Sequence, residues 1–158
     1  VLFRSMRSDY ISRLSRILSQ QVTFLPLDLS DSVREKFFTE VSANENGTIQ
    51  SRVAVKRNGW DQLHSFLLSL SSNATRQELY VYLSEGDSVG AFALPENVFL
   101  ACAVSLYREF HETYAIRPGD RSHCIMIDYF DDSYHGTELF EAIFYGEAVE
   151  YLRTDAKP

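Results

Sequence analysis

The chain has 158 residues and a formal net charge of −7; 45% of its residues are apolar and 23% are charged. This size and balance are typical of one globular domain and argue against a disordered chain. The longest stretches without a charge, such as residues 97–107, are far shorter than the roughly 20 apolar residues that span a bilayer, so we expect no membrane helix.

Charge is unevenly distributed along the sequence. Residues 1–20 contain four arginines against one aspartate, whereas residues 119–158 contain nine acids against three basic residues. Phosphates are held by clustered lysines and arginines, so the acidic C-terminal region argues against a nucleic-acid partner. Its electrostatic field would instead steer a basic protein toward the chain.

The start of the chain and its cysteines bear on its source and location. We expect residues 1–5 to be a non-native leader, because Leu-Phe-Arg-Ser is what one frame of a common sequencing adapter encodes, and residues 6–158 to form the domain. That origin favours a bacterial or phage source. The segment after Met6 lacks the apolar core of a secretory signal, and Cys102 and Cys124 are too few for a disulfide framework. Both features favour the cytoplasm.

The first half of the chain predicts mainly helices. Ser8 caps a predicted helix over residues 9–20, and a second helix is predicted over residues 31–41. Residues 49–57 alternate between apolar and polar side chains, as a half-buried strand does. Residues 60–70 then carry apolar side chains at helical spacing and predict a third helix.

The second half begins with the best hairpin signal in the chain. Residues 78–84 and 89–94 are rich in strand-forming residues and flank a short loop that contains glycine. Pro95 is suited to the start of a helix, which we predict over residues 96–114. The first half of this helix is apolar almost all round, which predicts a central position. Residues 122–130 read as a strand that is apolar on both faces and therefore interior to a sheet.

The tail, residues 137–153, is compatible with a helix or with a hairpin that turns at Tyr145 and Gly146. The hairpin is favoured, because a glycine inside a helix costs about 1 kcal/mol relative to alanine. Helices and hairpins are interleaved along the chain. We therefore predict a single α+β domain with a mostly antiparallel sheet of about four to six strands, covered by helices.

The stretch from His123 to Gly136 contains two histidines and three aspartates. On a strand, His123 and Asp128 point to opposite faces and cannot jointly hold an ion. Four residues at the strand end and in the following loop are better placed for a divalent cation: Asp128, Asp131, Asp132 and His135. The alternative is an ordinary polar turn, in which aspartate and serine bond to the local backbone.

The same stretch can also form a docking surface for a protein. Its acids alternate with aromatic residues, a composition suited to gripping a basic and partly apolar partner. We name this set the hairpin patch: Asp128, Tyr129, Phe130, Asp131, Asp132 and Tyr134.

Motifs for catalysis or cofactor binding are missing from the sequence. It has no G-x-S-x-G, G-x-G-x-x-G or G-x-x-x-x-G-K-[S/T], so we expect no cofactor. The leading hypothesis is a non-enzymatic binding protein that engages a basic macromolecular partner. As an immunity, antitoxin or phage anti-defence protein, it would also inhibit that partner. The alternatives are a metal-dependent hydrolase that uses the Asp/His cluster, and a small-ligand binder with an aromatic-lined pocket between the sheet and the predicted 96–114 helix. The oligomeric state is left open.

Overall fold

The largest element of the fold is a six-stranded antiparallel sheet. The computed structural model describes residues 2–44, 52–84, 89–119, 122–132, 134 and 136–154. The strands are β1 Arg52–Asn58, β2 Glu78–Leu83, β3 Phe92–Pro95, β4 Thr113–Ile116, β5 His123–Asp132 and β6 Thr137–Gly146. They lie in the order β1-β6-β5-β4-β2-β3, and every neighbouring pair is antiparallel. The predicted fold class, a single α+β domain with an antiparallel sheet, is confirmed.

Helices cover both faces of this sheet. They are α1 Leu2–Leu14, α2 Leu27–Asn44, α3 Trp60–Ser71, α4 Glu96–Phe110 and α5 Glu150–Thr154, with a 3-10 turn at Glu147–Val149. The larger core cluster joins the sheet to α1, α3 and α4, and the smaller one joins it to α2. No helix among the described residues is both long and apolar enough to cross a membrane.

Strand β5 shows how the sequence pattern produces the two layers. Ile125 and Ile127 belong to the larger cluster, whereas Cys124 and Met126 pack in the smaller one. The strand is bonded to β4 on one side and to β6 on the other. The prediction of an interior strand that is apolar on both faces is therefore confirmed.

The boundaries of three helices differ from the predicted ones. Helix α2 spans Leu27–Asn44 and is longer at both ends than the predicted 31–41, and α1 ends at Leu14 rather than at residue 20. Helix α1 begins at Leu2 rather than near Asp9, so it includes most of the segment that was expected to be a leader. Helix α4 ends at Phe110 instead of residue 114, because His111 adopts a left-handed conformation with φ 66° and stops it. Strand β4 follows directly and was missed.

The tail is neither of the two predicted alternatives. Residues Thr137–Gly146 form β6 and complete a hairpin with β5, but the chain does not turn into a further strand at Tyr145 and Gly146. It continues instead into the 3-10 turn and α5. The loop at 85–88 of the confirmed β2–β3 hairpin lies outside the described residues.

Candidate functional site: a buried carboxylate beneath a polar cavity

A fully buried glutamate, Glu96, lies at the start of α4. Pro95 ends β3 and caps the helix, and the backbone N–H of Glu96 donates to the carbonyl of Gln77 at 2.9 Å. An acid in the first turn of a helix is favoured by the helix dipole. The carboxylate is nevertheless out of contact with water, so its stability depends on the groups around it.

Four side chains hydrogen-bond to this carboxylate. Oxygen Oε2 accepts from Thr75 Oγ1 at 2.7 Å, from Arg117 Nη2 at 2.8 Å and from Tyr151 Oη at 2.6 Å. Oxygen Oε1 is bonded to His123 Nε2. Such charge-assisted bonds are the strong ones in proteins, and together they satisfy Glu96 completely.

The pairing of β4 with β5 brings two of these donors together. Ile116 is opposite Cys124 in the sheet, and the backbone N–H of Arg117 donates to the carbonyl of His123 at 3.0 Å. Arg117 and His123 are therefore neighbours across the mouth of the β4–β5 turn. Both side chains reach Glu96, at the start of α4.

A glycine allows the C-terminal segment to reach the same point. Gly146 has φ 60°, and a Cβ atom there would collide with the carbonyl of Ser122. The next residue, Glu147, donates its backbone N–H to that carbonyl at 2.9 Å. This close approach turns the chain into α5, which places Tyr151 against Glu96.

The environment fixes the protonation of two members of the cluster. Burial by itself would raise the pKa of Glu96, but the bond to His123 and its charge, with the bonds from Tyr151 and Thr75, outweigh burial and lower this pKa from 4.5 to about 2. Burial and the adjacent Glu96 carboxylate raise the pKa of Tyr151 to about 12. Glu96 is therefore an anion and Tyr151 a hydroxyl donor at neutral pH.

The ionised carboxylate also determines how His123 is protonated. A carboxylate only accepts hydrogen bonds, so the proton between Glu96 and His123 lies on Nε2. His123 is 2% exposed and its other nitrogen, Nδ1, is buried without a hydrogen-bond partner. Nitrogen Nε of Arg117 is in the same situation. Buried unpaired polar atoms are uncommon and costly, which marks these two side chains as unusual.

A cavity of about 530 Å³ opens beside the cluster. We call it the Glu96 cavity, after the carboxylate that organises its wall, and its lining consists of Asn73, Thr75, Arg117, His123, Glu147, Glu150 and Tyr151. Four of these seven residues are bonded to Glu96. Every lining residue carries a polar or charged group, and two of them, His123 and Tyr151, are aromatic. The aromatic-lined pocket expected beside the predicted 96–114 helix stays a prediction.

A smaller cavity of about 180 Å³ lies on the α2 side and shares Arg117 and His123 with the first. Polar contacts between α2 and the β4–β5 turn close its edges. Lys36 Nζ donates to the Gly119 carbonyl at 2.9 Å, and Ser122 Oγ donates to Glu40 Oε2 at 2.7 Å. Arg117 and His123 thus form part of the wall of both cavities.

The hairpin patch predicted from the sequence lies at the opposite end of β5. Tyr129 and Phe130 are 43% and 41% exposed, and Tyr134 is 91% exposed. Tyr129 packs on Phe140 at 5.5 Å between ring centroids, within the larger core cluster, whereas Phe130 lies 3.9 Å below the Lys56 ammonium. Adjacent strand residues point to opposite faces, so these two rings do not share one surface.

The aspartates of the patch are strand residues. Asp128 is exposed on β5, while Asp131 and Asp132 end this strand opposite Glu138 and Thr137 rather than beginning a loop. The side chains of Asp131 and Asp132, and the whole of His135, lie outside what the structure describes. Among the side chains that it does describe, no group of three His, Cys, Asp or Glu residues could hold a metal ion. The metal hypothesis stays a prediction.

Sequence reasoning missed the Glu96 cluster, although two signals were available. Glu96 is an acid at the start of a helix predicted to be central, and His123 shares a predicted strand face with Ile125 and Ile127. Each signal indicates a buried polar group that needs a partner. Neither indicates which partner, because the cluster joins residues far apart in the chain.

The sequence matches no family model, no curated protein and no solved structure. The features that bear on function are therefore the Glu96 cavity at one end of β5 and the hairpin patch at the other.

Proposed function

We propose that this protein is a binding protein for a small polar ligand, which it takes into the Glu96 cavity. One observation supports this above all: a single buried carboxylate holds four of the seven cavity-lining side chains in place. A wall fixed before binding loses little side-chain entropy when a ligand arrives, which is how small-ligand sites gain affinity. The cavity volume is also within the range of such sites.

In this proposal Glu96 is a positioning residue and does not touch the ligand. Both of its oxygens are occupied by protein donors, so it has little capacity left for a ligand. The groups that would contact the ligand are those that Glu96 orients, chiefly Arg117 and His123. The bound molecule would replace water at a wall of fixed polarity.

A cavity-filling variant tests the proposal. A library of small polar metabolites is screened by thermal shift against the wild type and against Asn73→Trp, which places a bulky ring in the cavity wall without removing a donor to Glu96. We expect ligands that raise the melting temperature of the wild type and have no effect on the variant. Leu68→Trp is the matched control, because Leu68 lies on the exposed face of α3. If every stabilising compound acts equally on all three proteins, or none acts on the wild type, the proposal is wrong.

A second candidate function is engagement of a basic macromolecular partner through the hairpin patch. The exposure of Tyr134, and of Phe130 on the same strand face as the exposed Asp128, favours it, because exposed rings next to acids are suited to a basic and partly apolar surface. An inhibitory role of the immunity, antitoxin or anti-defence kind belongs to this proposal. A cytoplasmic site of action is in keeping with two cysteines, Cys102 and Cys124, that remain free thiols.

Charge reversal tests this second candidate. The probe is a peptide of alternating lysine and leucine, and its association is followed by surface plasmon resonance at low and high salt. Asp131→Lys combined with Asp132→Lys should slow association and weaken its salt dependence. Asp28→Lys combined with Asp31→Lys on α2 makes the same charge change at another surface. Identical association by both double variants would contradict a role for the hairpin patch.

A further inference from the structure

The charges around the Glu96 cavity are paired. Arg117 lies between two carboxylates, with Nη2 2.8 Å from Glu96 and Nη1 3.6 Å from Glu147. Glu150 lies 2.6 Å from Arg153. Each of the three carboxylates thus lies within 4 Å of a guanidinium, and two of them share Arg117. A cationic ligand group would compete with a guanidinium already in place, and an anionic one would meet the excess of carboxylates.

The hydrogen-bonding capacity of the wall is mixed. Arg117 and the Asn73 amide group supply donors, while Glu147, Glu150 and the Asn73 carbonyl supply acceptors. A hydroxyl group is the ligand group that matches such a wall, since it both donates and accepts. A charged ligand would need to lose its hydration, and the carboxylates it would meet already have guanidinium partners.

The two unpartnered nitrogens agree with this match. Arg117 Nε always donates, and His123 Nδ1 donates when the imidazole is charged and accepts when it is neutral with its proton on Nε2. A hydroxyl serves either atom. Both atoms are closed to water in the structure, so a ligand hydroxyl would reach them only through a small rotation of the guanidinium or the imidazole that keeps its bond to Glu96.

We propose that the ligand of the Glu96 cavity is a neutral, polyhydroxylated molecule of the monosaccharide class. This inference rests on the proposed small-ligand function and names the chemistry of that ligand. Paired charges and mixed donors and acceptors are the features that carry it. Tyr151, whose ring also lines the cavity, provides an aromatic surface for the apolar C–H groups of such a molecule.

A charge series of one sugar tests the class of ligand. Glucose, glucosamine and glucuronate share one pyranose ring. Glucosamine has an ammonium in place of the C2 hydroxyl of glucose, and glucuronate has a carboxylate in place of its C6 hydroxymethyl group, so the three are neutral, cationic and anionic. Each is titrated into the ¹⁵N-labelled wild-type protein, and chemical-shift changes of the Arg117 Nε–H and of the backbone amides near residues 73–75 are recorded. We expect glucose to bind about tenfold or more tightly than either charged sugar, because a charge without a partner is penalised in this wall.

A charge-neutralising variant sharpens the test. Glu147→Gln removes one of the two carboxylates that Arg117 contacts among the described residues. Glucuronate should then bind several-fold more tightly than it binds the wild type, while the affinity for glucose stays nearly constant. Glu35→Gln, at an exposed position of α2, makes the same charge change away from the cavity and should alter neither affinity.

The outcomes separate this inference from the proposed function. Stronger binding of a charged sugar, or sugar binding that survives Asn73→Trp, would overturn the assignment of ligand class. If none of the three sugars changes the chemical shifts, but other compounds in the library bind in a cavity-dependent way, the ligand class is wrong and the proposed small-ligand function stands. If neither the sugars nor any compound in the library binds, both the ligand class and the proposed function are wrong.

Discussion

Strand β5 carries polar residues at both ends, but the one at its first end is buried and those that the structure describes at its far end are exposed. At its first residue, His123 is buried against a carboxylate that accepts four hydrogen bonds. At its far end, Asp128, Tyr129 and Phe130 face solvent at least in part. Polar groups at the buried end obtain their hydrogen bonds from one another, whereas those at the exposed end can obtain them from water. Density of polar residues along the sequence is therefore a poor guide to where a site is built.

Burial also makes the loss of stability on mutation differ between the two ends. Exposed charge pairs contribute little because water and salt screen them. A buried pair depends on complete hydrogen bonding, and loss of one partner leaves an uncompensated charge in the interior. Mutations at the two ends should consequently differ in size, and the following predictions measure that difference.

The largest effect is expected from Glu96→Ala. Removal of the carboxylate leaves the buried His123 without its acceptor and takes from Arg117 the nearer of its two carboxylates, so the free energy of unfolding should fall by about 3–5 kcal/mol. Urea denaturation measures it. Glu109→Ala is the matched control, because this glutamate lies on the same helix and pairs with Arg13 at 2.8 Å in an exposed position. Similar losses in the two variants would show that burial of Glu96 is not what matters.

Acid should destabilise the buried end selectively. The pKa of Glu96 is lowered from 4.5 to about 2, so the folded state binds fewer protons than the unfolded state between these values. The stability that Glu96 contributes is complete above about pH 4.5 and is lost as the pH falls toward 2, a change of roughly 3 kcal/mol.

Urea unfolding of the wild type at a series of acidic pH values measures this loss. The ¹³C chemical shift of the Glu96 carboxyl reports its titration directly. A carboxyl that titrates near pH 4.5 in the folded protein would contradict the hydrogen-bonded arrangement.

An intermediate effect is expected from Tyr151→Phe. The substitution removes one hydrogen bond to a charged acceptor and keeps the ring, so it should cost about 1.5–3 kcal/mol. Thermal and chemical denaturation measure the loss, and hydrogen exchange of α5 should increase because this bond attaches the helix to the core. Tyr129→Phe removes a hydroxyl at the exposed end of β5 and should change stability by less than about 0.5 kcal/mol. Equal effects of the two substitutions would refute the contrast.

The smallest effect is expected at the exposed end. Lys56→Met removes the cation above the Phe130 ring, which should cost about 0.5–1 kcal/mol. Lys56→Arg keeps a cation over the ring and should retain most of the stability. A loss above 2 kcal/mol in Lys56→Met would mean that this end is as interdependent as the Glu96 cluster, and the comparison would fail.

The sequence by itself determined most of the fold. The β2–β3 hairpin, helix α3 and the two-faced strand β5 were predicted because their signals are local: apolar spacing and turn residues act within a few positions. The same local rules failed where a backbone conformation overrode the pattern. The positive φ of His111 ends α4, so β4 can form after it. Gly146, also at positive φ, ends β6 and directs the tail into the 3-10 turn and α5.

Only the tertiary structure decided the site. Thr75, Glu96, Arg117, His123 and Tyr151 come from five separate segments, and no spacing rule connects them. They meet because β4 pairs with β5 and because the chain passes Ser122 closely at Gly146. Periodicity reports which side chains are buried, but a buried polar group finds its partner through the packing of distant elements. This is the physical reason why the sequence predicted the scaffold and not the cavity.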